Sequence, residues 1–242
     1  MSLYRREQLG LTAAMKELAP LDIFEMGATS GATHSVVWMH GLGASNRDFE
    51  SIVPELRLPN VRFLFPAAPT RRVTVNGGMA MPAWYDIVSW QDPPLRENED
   101  DVRQAALAIE RLLESEQTRG VASERIFIAG FSQGAAMALA VGTRYKRRLA
   151  GIISLSGYMV LPKSFDEERT PENGKTPTLM CHGSFDPVVP TVLGRQAYEA
   201  MHQRGYPVRF EEYPMAHSLC MEEVVDVRDF MVSCMGSSSL VT

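Results

Sequence analysis

The sequence predicts an α/β fold built on one open, mostly parallel central sheet with helices on both faces. Three observations predict it. Short apolar runs alternate with longer stretches of helical periodicity. The apolar runs are continuous, as in strands covered on both faces. No internal repeat of about 20–50 residues is visible, which sets solenoids and propellers aside. With 242 residues, 45% of them apolar, the chain can bury a large core without disulfide or metal staples.

The elements follow in order. His34–Met39 is an apolar run that stops at His40-Gly41, and residues 61–65 form a second, stopped by Pro66. Residues 67–98 then read as a long loop, of a length usually functional in a compact domain. Asn98 caps a helix whose first turn carries Glu99, Asp100 and Asp101, charges that suit a helix N-terminus. Val102, Ala105, Ala106, Ile109, Leu112 and Leu113 recur at helical spacing, and Gly120 ends the element. Residues 125–129 are a third strand, followed by an Ala/Met/Leu-rich helix over 133–145. Gly151–Leu155 and residues 178–181 are the fourth and fifth strands, separated by a second long loop over 158–176. A helix over 193–203, closed by Gly205, leads to the sixth strand, Val208–Tyr213. Val224, Val225, Val227, Phe230 and Met231 mark a last helix. A single domain is expected over residues 1–235, with residues 236–242 as a loose tail.

Charge and cysteine usage narrow the function classes. The formal net charge is −5, so a basic nucleic-acid footprint is not expected. Three cysteines, Cys181, Cys220 and Cys234, lack C-x-x-C spacing, which indicates neither a disulfide framework nor a zinc cluster. No apolar run approaches the roughly 20 residues of a membrane span. The segment after Arg6 is too polar for a signal-peptide core. A soluble protein of the reducing cytoplasm is expected.

The strongest chemical signal is Gly130-Phe131-Ser132-Gln133-Gly134. The pattern alone is weak. Its setting, directly after an apolar strand and directly before an Ala-rich helix, is that of a nucleophile elbow. The turn strains the serine, and small residues two positions either side let neighbouring backbone approach. The helix then aims its free N–H groups at the site. A plain strand–helix turn with a capping serine is the structural alternative.

A serine hydroxyl needs a base and an orienting carboxylate, here in the chain order Ser, acid, His. Three histidines follow Ser132. His202 lies in a helical pattern, and His182 ends a strand ahead of the acid candidate. His217 lies in a loop just past the sixth strand, at the end of the sheet where ligands bind, so it is the candidate base. Among the acids, Asp166 belongs to a solvated charge run, and Asp226 and Asp229 follow His217 in a helix. Asp186 comes immediately after the fifth strand, in a loop fixed by Pro187 and Pro190. It is the candidate for holding the His217 ring. The oxyanion donors expected are the backbone N–H groups of Gln133 and of Leu42, in the turn His40-Gly41-Leu42-Gly43. Trp84, in Met81-Pro82-Ala83-Trp84-Tyr85-Asp86, reads equally as a pocket wall or as core beneath its loop. Cys220 lies three residues past His217 but lacks an elbow or an activating neighbour.

Taken together, His40-Gly41-Leu42-Gly43, the W-Y-D loop, Gly130-Phe131-Ser132-Gln133-Gly134-Ala135, His182-Gly183 through Pro190 and Met215-Ala216-His217-Ser218 resemble the phospholipase/carboxylesterase family of α/β-hydrolases. The resemblance runs roughly from residue 36 to 231. It implies Ser132, Asp186 and His217 as a catalytic triad, Leu42 and Gln133 as oxyanion donors, Trp84 near the substrate channel, and a homodimer. The family includes carboxylesterases, acyl-protein thioesterases and lysophospholipases. Residues 44–48 depart from the family pattern, so the rim of the site is expected to differ.

The expected function is therefore serine carboxylesterase action on an ester or thioester of a small molecule or an acylated protein, through an acyl-enzyme. No metal or organic cofactor is called for. Activity should rise between roughly pH 6 and 8, as the base loses its proton. A serine peptidase on the same fold and a catalytically dead, hydrolase-like binding module are the alternatives.

Overall fold

The structure is a computed structural model that describes residues 20–89 and 96–236. The tail expected at 236–242 lies, beyond Gly236, outside the described residues.

Among the described residues, eleven strands and six α-helices follow one another. The strands are β1 (Ile23–Gly27), β2 (His34–Met39), β3 (Val61–Pro66), β4 (Thr70–Val73), β5 (Met79–Pro82), β6 (Ile87–Ser89), β7 (Arg96–Glu97), β8 (Ile126–Phe131), β9 (Gly151–Leu155), β10 (Thr178–Gly183) and β11 (Val208–Tyr213). The helices are α1 (Ile52–Leu56), α2 (Glu99–Thr118), α3 (Gln133–Arg144), α4 (Phe165–Glu168), α5 (Thr191–His202) and α6 (Met221–Met235). Seven strands form the central sheet in the order β1-β3-β2-β8-β9-β10-β11. All pairs are parallel except the edge pair, where β1 runs antiparallel to β3. Each of the six expected strands lies in this sheet. β1 is the addition: its residues are only partly buried, so it lacks the apolar run that marks its neighbours.

The β2 residues show how the sheet sorts its side chains. Val37 and Met39 join one core with α2, α3 and α5 residues such as Ile109, Met137 and Met201. Val36 and Trp38 join a second core with Leu56 of α1 and Val224, Val227 and Met231 of α6. Successive strand residues point to opposite faces, so a fully buried strand needs apolar residues at both parities. That is why these strands read as continuous runs rather than alternations.

The two segments expected as loops are built. Within 67–98, β4 and β5 form an antiparallel hairpin, turned through Gly77 and Gly78 at φ +67° and +75°. β6 pairs antiparallel with β7. Within 158–176, Asn173 is fully buried; its amide donates to the carbonyls of Tyr145 (2.7 Å) and Arg147 (2.9 Å). Among the described residues no helix is long and apolar enough to cross a membrane.

Candidate active site

Four loops leave the carboxyl ends of parallel strands on one edge of the sheet. They follow β2, β8, β10 and β11, and they carry Leu42, Ser132, Asp186 and His217. In a parallel sheet these ends share an edge, so residues far apart in sequence meet there.

Ser132 sits between β8 and α3 at φ +55°, ψ −119°. That conformation costs a non-glycine residue about 1–3 kcal/mol. It persists because the surrounding backbone is fixed. The Ser132 N–H donates to Leu155 O at 2.8 Å. A Cβ on Gly130 would lie 2.2 Å from Gly134 O, and one on Gly134 would lie 2.3 Å from Met39 O. Both glycines are therefore required by close backbone approach, and neither needs a positive φ.

The Ser132 Oγ lies 2.9 Å from His217 Nε2, and His217 Nδ1 lies 2.6 Å from Asp186 Oδ2. The other carboxylate oxygen, Asp186 Oδ1, accepts the backbone N–H groups of Val188 (2.8 Å) and Val189 (2.9 Å). The aspartate thus closes its own turn with one oxygen and holds the imidazole with the other. Its side chain is fully buried. His182 supports the same loop, donating from Nε2 to Val189 O at 2.8 Å. Burial lowers the His182 pKa and favours the neutral ring.

The loop after β2 lies directly beside the serine: a Cβ on Gly41 would be 3.3 Å from Ser132 Cβ. Gly43 N–H donates to Pro82 O (2.8 Å) and Ala44 N–H to Gly41 O (3.2 Å). Among the described residues no hydrogen bond takes up the Leu42 N–H. The Gln133 N–H opens α3, where the first N–H groups have no acceptor inside the helix. Two uncommitted donors therefore lie next to Ser132.

His40 pins this loop. Ala68 N–H donates to its Nε2 at 3.0 Å, so the ring proton belongs on Nδ1, which donates to Gly41 O at 2.7 Å. Burial lowers the His40 pKa and keeps the ring in that neutral form. The Trp84 indole N–H donates to His40 O at 2.8 Å. Trp84 itself has no exposed surface. The Trp84 ring packs in the core, and its indole N–H ties that core to the start of the loop of Leu42.

Gln133 ties the W-Y-D segment to the elbow. Its Oε1 accepts the Trp84 N–H at 2.7 Å and its Nε2 donates to Tyr85 O at 2.8 Å. Neither this clamp nor the His40 bridge was read from the sequence, because both partners lie in segments distant along the chain.

The other candidates fall elsewhere. His202 is exposed at the end of α5. Asp166 pairs with Arg204 at 2.5 Å. Asp226 accepts the Tyr213 hydroxyl at 2.7 Å. At Cys220, burial and then the neighbouring Glu222 push the thiol pKa up, away from a thiolate.

Known proteins share this fold. The phospholipase/carboxylesterase family model matches residues 26–235. Acyl-protein thioesterase 1 of Neurospora crassa is 40% identical over 84% of this chain and 88% of its own. That of Saccharomyces cerevisiae is 33% identical over 85% and 95%. Among solved structures, Arabidopsis thaliana SOBER1 superposes with TM-score 0.80 at 29% identity, covering 84% of this chain and 99% of its own. Zea mays acyl-protein thioesterase 2 gives TM-score 0.80 at 26% identity, over 89% and 99%. With a family match spanning all four site-bearing loops and the α/β-hydrolase architecture beneath them, the chain belongs to the phospholipase/carboxylesterase family of ester hydrolases.

Proposed function

We propose that this protein is a serine hydrolase that cleaves carboxylic esters and thioesters through an acyl-enzyme. Ser132 Oγ attacks the carbonyl carbon while His217 Nε2 takes its proton. Asp186 fixes the imidazole tautomer and stabilises the imidazolium. The backbone N–H groups of Leu42 and Gln133 receive the oxyanion, a contribution of roughly 3–4 kcal/mol per donor in comparable sites. The bond to the alcohol or thiol then breaks, and the leaving group departs with the His217 proton. Water, deprotonated by the same ring, hydrolyses the acyl-serine and returns the proton to Ser132. The observation that supports this reading most is the unbroken hydrogen-bond line from Ser132 Oγ to His217 (2.9 Å) and on to Asp186 (2.6 Å).

The proposed substrate is an ester or thioester carried by a small molecule or an acylated protein. A C2 to C16 series of p-nitrophenyl esters and matching acyl thioesters tests it. Turnover of both classes, lost by several orders of magnitude in Ser132→Ala, is the expected result. Turnover of the esters alone removes the thioesterase part, and a Ser132→Ala variant as fast as wild type rejects the mechanism. A cytoplasmic, homodimeric protein completes the proposal; fractionation and light scattering test those two points.

A further inference from the structure

We propose that Phe131, the residue before the nucleophile, is the positioning residue for the His217 ring and supports the positive charge that ring gains; the inference rests on the function proposed above. The Phe131 ring centroid lies 4.7 Å from that of His217, with the planes at 42°. Behind it stands Phe49, 6.3 Å away, which in turn packs on Trp38 at 5.3 Å. A Cβ on Gly41 would lie 3.5 Å from Phe131 Cδ1, so the phenyl ring also rests against the loop of Leu42. Phe131 is thus held by an aromatic file and by backbone, and presents His217 with a fixed wall.

The wall supplies what the two hydrogen bonds cannot. Nδ1 is tied to Asp186 and Nε2 to Ser132, and both bonds lie in the plane of the imidazole. They leave the ring free to tilt about the line joining them. Contact with a ring face removes that freedom, and a small error in aim at the reacting proton is costly in rate. Once the serine proton moves to Nε2, the imidazolium lies within the roughly 6 Å over which an aromatic face attracts a cation. Asp186 holds Nδ1 of the His217 ring, and His182 lies beyond it, with Nε2 3.6 Å from the same carboxylate oxygen. Burial favours the neutral form of His182, so the aromatic contact adds to the Asp186 charge without opposition from a second cation.

The experiment compares wild type with Phe131→Leu, Phe131→Met and Phe131→Tyr on p-nitrophenyl butyrate between about pH 5 and 9. Circular dichroism checks each fold, and Ser132→Ala reports on the underlying reaction. The Leu and Met variants are expected to lose about tenfold in kcat with KM within about twofold. Tyr keeps the aromatic face and should retain kcat to within about threefold of wild type. If the Leu variant does not fold, the Met variant carries the same test. Wild-type kcat in a folded Leu or Met variant, or a Tyr variant as slow as Leu, overturns the positioning role. Loss at Ser132 with none at Phe131 overturns this inference alone, whereas full turnover in Ser132→Ala removes the function on which it rests.

Discussion

Gln133 divides its groups between two tasks. Its backbone N–H faces the proposed oxyanion, while its side chain pairs with the buried Trp84 N–H and Tyr85 carbonyl. Gln133→Ala keeps the backbone donor and strands both buried partners, a cost of about 1–3 kcal/mol each at most. A lower Tm is expected, together with a fall in kcat as the Trp84 segment and the His40 loop it holds both loosen. Unchanged melting and unchanged p-nitrophenyl butyrate turnover would show that the clamp does neither. The Ser132, Asp186 and His217 positions were legible in the sequence because the chemistry demands those residue types, in that order, at strand ends. The clamp was not, since a glutamine after a serine carries no mark of what its amide will meet.

Strand β8, its turn and α3 make the element on which the site depends. Gly134 of α3 lies so close to β2 that a methyl group would meet the carbonyls of Met39 and His40 at 2.3 and 2.6 Å. Backbone cannot yield as a flexible side chain can. Gly134→Ala is therefore expected to push α3 off β2, destabilise by about 1–3 kcal/mol, and move the Gln133 N–H away from that of Leu42. Thermal melts and kcat/KM for a p-nitrophenyl ester check it; a variant of wild-type stability and activity would refute the close approach. The elements legible in the sequence are those buried on both faces, whose residues had to be apolar at every position. β1 has water on part of its surface, and β4 to β7 are two to four residues long, so neither periodicity nor run length marks them. The close turn at Gly77-Gly78 is the one local signal for the β4–β5 hairpin.

The two layers packed on the sheet leave charged groups in unusual places. Glu223 of α6 is fully buried, and among the described residues no side chain pairs with its carboxyl group. Burial pushes its pKa up to about 8. The folded protein therefore keeps a proton that the unfolded chain gives up near the ordinary glutamate value. The sign follows: from about pH 4.5 to 8 the native state binds more protons, and this group's contribution to stability falls as pH rises. The slope is about 1.4 kcal/mol per pH unit for one proton. Denaturant titrations of wild type and Glu223→Gln at pH 6 and 8 measure it. Wild type should lose stability relative to the variant over that interval; parallel curves would mean that Glu223 is ionised in the native protein at both values.

On the scale of the whole chain, parallel strands bring three residues separated by 85 and 31 positions into one hydrogen-bonded line. The most direct test of that line is intact and peptide mass spectrometry after treatment with a fluorophosphonate, which marks an activated serine. The expected result is one adduct per chain, on Ser132, absent from folded Ser132→Ala and strongly slowed in His217→Ala. An unlabelled folded protein, or an adduct on any other residue, would contradict the account.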